Sequence, residues 1–137
     1  MKATGETFSV KTHGKGTTEI TREIAGIVMR SGVRTGNVTV FVRHTSASLV
    51  IMENADPSAR RDLEMFFEKL VPENTPWFIH TQEGPDDMPA HIKAAMMPVS
   101  LSVPVIDGAL MLGRWQGLYL VEHRDAPHRR EIVLHLA

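Results

Sequence analysis

The chain has 137 residues, enough for a single domain with its own core, and its 15 basic side chains nearly balance 16 acidic ones. That balance leaves no basic surplus for nucleic acid and no acidic tail. Cysteine is absent, which excludes disulfides, thiolate nucleophiles and Cys-ligated zinc, so any metal falls to imidazole, carboxylate or backbone oxygen. No apolar run reaches membrane-spanning length, and the opening "MKATGETFSV" lacks the apolar stretch of a secretory signal. The expectation is one cytoplasmic domain over residues 1–137 that engages neither nucleic acid nor membrane.

In chain order, "ETFSVKT" reads as a short strand. "GTTEITREIAGIVMRSG" reads as a helix capped by Thr17 or Thr18, with Ile20, Ile24, Ile27 and Val28 inward and Gly32 at its end. "NVTVFVRH" alternates with period two, so Val38, Val40, Val42 and His44 share a face. "SLVIM" reads as a strand buried on both sides. "DPSARRDLEMFFEKL" is a helix with Asp56 as cap, Pro57 at the first position and a stripe of Leu63, Phe66, Phe67 and Leu70. "VPENTPW" is a loop, and "DDMPAHIK" starts a third helix. "SLSVPVI", "ALML", "WQGLYLVEH" and "REIVLHL" are short strands with turn signals such as Asp107-Gly108 between them. Strands in series without intervening helices pair antiparallel. The fold class is therefore α+β, a distorted antiparallel β-sandwich or flattened barrel covered by two or three helices.

Seven histidines is a high count for this length. His13, His128 and His135 fall in turns or on a solvent face and need no function. His44 ends a strand on its valine face. It reads either as a core histidine bonded to a carbonyl or to Ser46, or as a ligand. His80 opens a polar loop after "WFI". His91 lies in the first turn of a helix, where the dipole disfavours a cation and keeps imidazole neutral, the form that binds metal or accepts a proton. Asp86 or Asp87 can cap that helix; the other is free to orient an imidazole or to ligate a cation. Three imidazoles with nearby carboxylates suit a catalytic type of metal site, although no compact spacing motif is present. Further polar groups cluster near strand ends: Glu53, Asn54 and Asp56; Trp115 and Gln116; Glu122, His123, Arg124, Arg129 and Arg130. Arginine forks suit phosphate or carboxylate, and equally a solvated hairpin with salt bridges.

Taken together, "HTSASL", "EN-x-DP-x-x-R-x-D-x-E-x-F", "EG-x-DDMP-x-HIK", "SL-x-x-PV" and "WQG-x-x-L-x-EHR" resemble the YjbQ-like family of small bacterial and archaeal proteins, from about Val38 to Ile132. The resemblance implies a distorted β-sandwich, a homotrimer, and histidines that bind a divalent ion, zinc-like or magnesium. Carried onto this chain, the ligands are His44, His80 and His91. It further implies a secondary thiamine-phosphate synthase activity, which joins a pyrimidine methyl diphosphate to a thiazole phosphate. For such a small phosphorylated ligand the candidates are Arg124 and Arg130 on phosphate, Ser46 and Ser48 as donors, Asn54 and Gln116 as further contacts, and Asp87 and Glu53 as proton acceptors. The other reading is a non-catalytic, metal-stabilised trimeric binding module. Arg114, Met52 and Pro98-Val99 depart from the family pattern of threonine, asparagine and Gly-Thr at those places, which bears on substrate identity.

Overall fold

The computed structural model describes residues 3–137; Met1 and Lys2, part of the stretch read above for a secretory signal, lie outside the described residues. In chain order the elements are β1 (Thr4–Thr12), β2 (Gly16–Glu19), α1 (Thr21–Ser31), β3 (Gly36–Val42), β4 (Ala47–Glu53), α2 (Pro57–Leu70), α3 (Asp87–Met96), β5 (Ser100–Ile106), β6 (Ala109–Leu110), β7 (Gln116–Glu122) and β8 (His128–Leu136). They form two curled antiparallel sheets. One has the order β1-β8-β3-β5-β6, the other β2-β7-β4. The expected α+β fold of antiparallel strands with two or three covering helices is the fold observed, with three helices. No helix among the described residues is long and apolar enough to cross a membrane.

The core lies between the sheets and follows the period-two alternation. Val38, Val40 and Val42 of β3 meet Ile132, Leu134 and Leu136 of β8 on one side, and Leu49 of β4 with Leu118 and Leu120 of β7 on the other. Helix α1 closes the core with Ile24, Ile27 and Val28. Asp107 and Gly108 take φ of 53° and 76° and make the two-residue hairpin between β5 and β6. Both central positions of that turn need positive φ, which Asp tolerates and Gly adopts freely.

Three local expectations fail, each for a stated reason. Residues Gly16–Glu19 do not start α1; they form β2 against β7, and Thr17 gives both its amide and its hydroxyl to Glu64 instead of capping a helix. Helix α1 begins only at Thr21, with no side-chain cap. Helix α2 does begin as expected, with Asp56 accepting the Ser58 amide and Pro57 in the first turn. Its apolar stripe, however, is only half used. Leu63 and Phe67 are partly covered, whereas Phe66 and Leu70 are 59% and 49% exposed. Helix α2 lies over the small sheet, where it touches β2 and β4, and one flank of its stripe overhangs.

Candidate functional site

Strand β7 runs between β2 and β4, and its residues 117–122 are all buried. Its end carries Glu122, His123 and Arg124, and strand alternation sends neighbours to opposite sides. Glu122 points to the other sheet. Arg130 of β8 donates to both its carboxylate oxygens, and Thr12 of β1 donates to Oε1 at 2.6 Å. Arg130 also donates to Ser46, to the carbonyl at 3.1 Å and the hydroxyl at 2.9 Å. Burial alone would raise the Glu122 carboxyl, yet Arg130 and Thr12 hold it below the usual carboxylate range. Arg130 and Ser46, expected to meet a substrate phosphate, are thus spent inside the domain, with Arg130 only 3% exposed.

His123 points to the helix side. It is 3% exposed, and its Nε2 lies 2.9 Å from the Ser48 hydroxyl. Burial lowers the imidazole to about 4, and the nearby Lys93 ammonium acts in the same direction. Ser48, another residue expected at a phosphate, is fully buried against this ring.

Arg124 reaches the first turn of α3. Its Nε donates to Asp86 Oδ2 at 2.9 Å, Nη1 to Asp87 Oδ1 at 2.6 Å and Nη2 to the Glu83 carbonyl at 3.0 Å. Desolvation works against the guanidinium charge, but Asp86 and Asp87 raise Arg124 above its ordinary value. Asp86 also accepts the Asp125 amide. Burial would raise its carboxyl, and these donors hold it low instead. Neither aspartate therefore caps α3: Asp86 sits at the N-cap position without a side-chain capping bond. Pro89 in the same turn removes one amide that would otherwise need a partner.

Asp87 has a second oxygen. Its Oδ2 lies 2.9 Å from His80 Nε2 and 3.0 Å from His91 Nε2. One turn of helix separates Asp87 from His91, so both face the same way. The loop carrying Trp77 and Phe78, edge to face at 4.9 Å, delivers His80. One ligand atom from each of His80, Asp87 and His91 lies within 4.8 Å of the other two. Around them opens a pocket of about 620 Å³, with His44, Thr45, Met88, Ala94, Ala95 and Val99 on its walls. His44 borders this pocket but is not the third member of the cluster. Its Nε2 accepts the Glu131 amide at 2.8 Å, which ties the ring to β8, and Asp87 takes the position expected of it. Burial first, and Arg130 second, lower His44 below the ordinary imidazole value.

Glu53, Asn54 and Gln116 are not part of this cluster. They sit at the other end of the β4–β7 pair, a strand length away, about 20 Å at about 3.3 Å per residue. Glu53 accepts the Ala55 and Asp56 amides, Asn54 donates to the Gln116 carbonyl, and Gln116 accepts the Gly113 amide. Lys93 is a residue that pattern reading passed over. It is 3% exposed and donates to Glu68 Oε2 of α2 at 2.9 Å. Its signal was a lone lysine inside the apolar "HIKAAM".

With this geometry in place, the relatives can be set beside it. The profile of the UPF0047 protein YjbQ-like family matches residues 6–137. A UPF0047 protein of Synechocystis sp. is 49% identical over 132 residues, covering 96% of this chain and 90% of that protein. The UPF0047 protein YjbQ of Salmonella typhimurium is 46% identical over 85% of this chain and 82% of its own length. Among solved structures, a YjbQ/UPF0047-family protein of Clostridium acetobutylicum superposes with a TM-score of 0.88 at 34% identity, over 96% of this chain and 99% of that one. A conserved hypothetical protein of Thermus thermophilus gives 0.83 at 36% identity, over 93% and 97%. On sequence and fold alike, this chain belongs to the YjbQ-like UPF0047 family.

Proposed function

We propose that the chain is a divalent-metal-dependent enzyme acting on a small phosphorylated substrate, with the ion held by His80, Asp87 and His91. The observation that carries this reading is the tautomer of His91. Its Nδ1 lies 2.8 Å from the Thr45 carbonyl oxygen, which can only accept, so Nδ1 bears the ring proton. A neutral His91 then aims the bare lone pair of Nε2 at a carboxylate oxygen 3.0 Å away. Two lone pairs at that distance repel unless a cation lies between them, a second proton or a metal ion. A backbone carbonyl fixing the far nitrogen is also the usual support of a metal-ligating imidazole. Two imidazoles and one carboxylate suit zinc, and the carboxylate tolerates magnesium.

The bound ion would supply Lewis-acid stabilisation of charge on phosphate oxygens. The chain's own residues do the rest. Arg124 holds Asp87 Oδ1 and so fixes Oδ2 towards the imidazoles. Met88, Ala94, Ala95 and Val99 offer apolar walls for the organic part of a substrate and exclude water there. Because its Nε2 accepts a backbone amide, neutral His44 carries its proton on Nδ1, a donor available to a ligand. Phosphate recognition rests on the ion and not on Arg124 or Arg130, whose guanidinium groups are engaged with Asp86, Asp87 and Glu122. Joining a pyrimidine methyl diphosphate to a thiazole phosphate is the first reaction to assay. A homotrimer is part of the proposal; exposed Phe66, Leu70, Trp77 and Ile79 support it as surfaces that a neighbouring subunit would cover.

The test is elemental analysis of purified protein, with synthase assays in the presence and absence of a chelator. His80→Ala, Asp87→Asn and His91→Ala are each expected to lower bound metal, and His44→Ala to leave it. Full metal retention in all three of the first set overturns the site.

A further inference from the structure

We propose that the phosphorylated ligand of the His80, Asp87 and His91 cluster has an apolar body about one aromatic ring long, and that the site rejects phosphate esters of sugars and polyols. This rests on the proposed metal site and adds what the chain itself selects beside it.

The cavity of about 620 Å³ at the cluster lies between one face of α3 and the segments next to β3 and β5. Sites that hold small organic ligands measure roughly 300–1,000 Å³. Met88, His91 and Ala95 stand at positions i, i+3 and i+7 of α3, so they share a face, with Ala94 beside them. The other wall is His44 and Thr45, which follow β3, and Val99, which precedes β5. Two backbone bonds tie this wall to the sheets. The Val99 carbonyl accepts the Val42 amide at 2.9 Å, and the Pro98 carbonyl accepts the Leu49 amide at 2.8 Å. The cleft therefore has a fixed width, set by the sheets on one side and a helix on the other.

Its chemistry changes along α3. The ligand atoms of His80, Asp87 and His91 gather at the N-terminal end. Ala94 and Ala95 follow His91 by three and four residues, about 5–6 Å further along the axis at about 1.5 Å per residue. A headgroup at the imidazoles thus lays a ring-sized body along Ala94, Ala95 and Val99. Apart from the imidazoles, Thr45 brings the only side-chain hydroxyl, and among the described residues no lysine, arginine or side-chain amide lines this cavity. A polyol body would press several hydroxyls against methyl groups, where each gives up water without gaining a partner. An apolar body has no such loss and removes the methyl groups from water. A polar cavity of about 310 Å³ adjoins on the loop side, with Asn74, Thr75 and Thr81 on its wall. It shares His80 and Met88 with the first cavity but not His91. A headgroup that engages both imidazoles therefore sends its body to the apolar side.

The test uses phosphonates, in which carbon replaces the ester oxygen and blocks cleavage. Full-length protein is loaded with zinc, and its metal content is measured by elemental analysis before any ligand is added. Methyl-resolved carbon–proton NMR then follows Met88, Ala94 and Ala95 during titration with benzylphosphonate, 2,3-dihydroxypropylphosphonate and methylphosphonate. Benzylphosphonate should bind at least tenfold more tightly than either of the others and shift the Ala94 and Ala95 methyls saturably. Val99→Thr and Met88→Gln keep side-chain size and add a polar group, and each should cut that preference at least threefold. Met88 is only partly buried, so Met88→Gln decides the matter if Val99→Thr does not fold. Failure to retain zinc overturns the metal reading and this inference with it. Zinc retained with equal affinity for the three phosphonates, or a preference unchanged in the folded variants, overturns this inference alone.

Discussion

Replacing Arg130 by methionine separates an architectural role from substrate binding. The Arg130 and Glu122 side chains are 3% and 2% exposed. Arg130 gives Nε to one carboxylate oxygen at 2.8 Å and Nη2 to the other, and Nη2 also serves the Ser46 carbonyl and hydroxyl. Arg130→Met leaves the Glu122 charge buried with only the Thr12 hydroxyl and the Arg124 amide as donors. Breaking one side of a buried pair costs about 3–5 kcal/mol. With a urea dependence of about 1.5–2 kcal/mol per molar, the midpoint should fall by about 2 M. The measurement is urea unfolding at fixed protein concentration, because subunit association would make stability concentration-dependent. The double replacement Glu122→Leu with Arg130→Met removes both charges and should restore most of the loss, since an apolar pair of similar volume is often neutral. Pyrophosphate affinity should not change in whichever variant folds. A folded Arg130→Met protein within about 1 kcal/mol of the wild type in stability, with pyrophosphate binding abolished, would refute the argument and return Arg130 to the ligand.

Further outcomes follow from the same geometry. His123 is held neutral down to about 4, against an ordinary value near 6.5, so the unfolded chain binds a proton that the folded one refuses. Its contribution is complete above pH 6.5 and declines as pH falls towards 4, by about 3 kcal/mol at about 1.4 kcal/mol per unit. His123→Gln should flatten the urea-midpoint profile over that window; an unchanged slope would count against burial of the neutral ring. Arg124→Ala should weaken metal binding by about 10–100-fold through loss of the group that orients Asp87, while leaving pyrophosphate affinity of the metal-free protein unchanged. Gly117→Ala would put a methyl 2.8 Å from Glu19 Oε2 and 2.9 Å from the Tyr119 ring. The expected loss is about 1–3 kcal/mol in urea unfolding.

What the sequence made legible was whatever repeats over a short interval. Val38, Val40 and Val42, and Ile132, Leu134 and Leu136, mark their own buried faces, and Asp107-Gly108 marks its own hairpin. Strand β2 was invisible because "GTTE" has no apolar residue to alternate; its partner β7 creates it. Phe66 and Leu70 were misplaced because periodicity identifies an apolar face without saying how much of it the rest of the chain covers. The site was legible only as residue types. His80, Asp87 and His91 lie close in sequence, but no spacing rule chose between the roles open to Asp87, capping the helix, orienting an imidazole or ligating a cation. Thr12 and Glu122 are 110 positions apart, and Arg124 and Asp87 are 37 apart. No local pattern predicts which guanidinium will be consumed by which carboxylate, so the sequence left both arginines open between phosphate and salt bridges.

The tripeptide Glu122-His123-Arg124 explains why consumption was the outcome. Three polar residues in a row at the end of a buried strand cannot all face water. Alternation sends Glu122 into the gap between the sheets, where Arg130 must neutralise it. It sends His123 under the helices, where Ser48 must satisfy it. Arg124 leaves the strand at the start of α3, where it meets two aspartates at once. One carboxylate would have neutralised that guanidinium. The second divides its oxygens, one for Arg124 and one for the imidazoles. An aspartate at a helix start with neither a capping bond nor sole ownership of its arginine keeps its other oxygen for His80 and His91, and that is the oxygen the proposed ion would share.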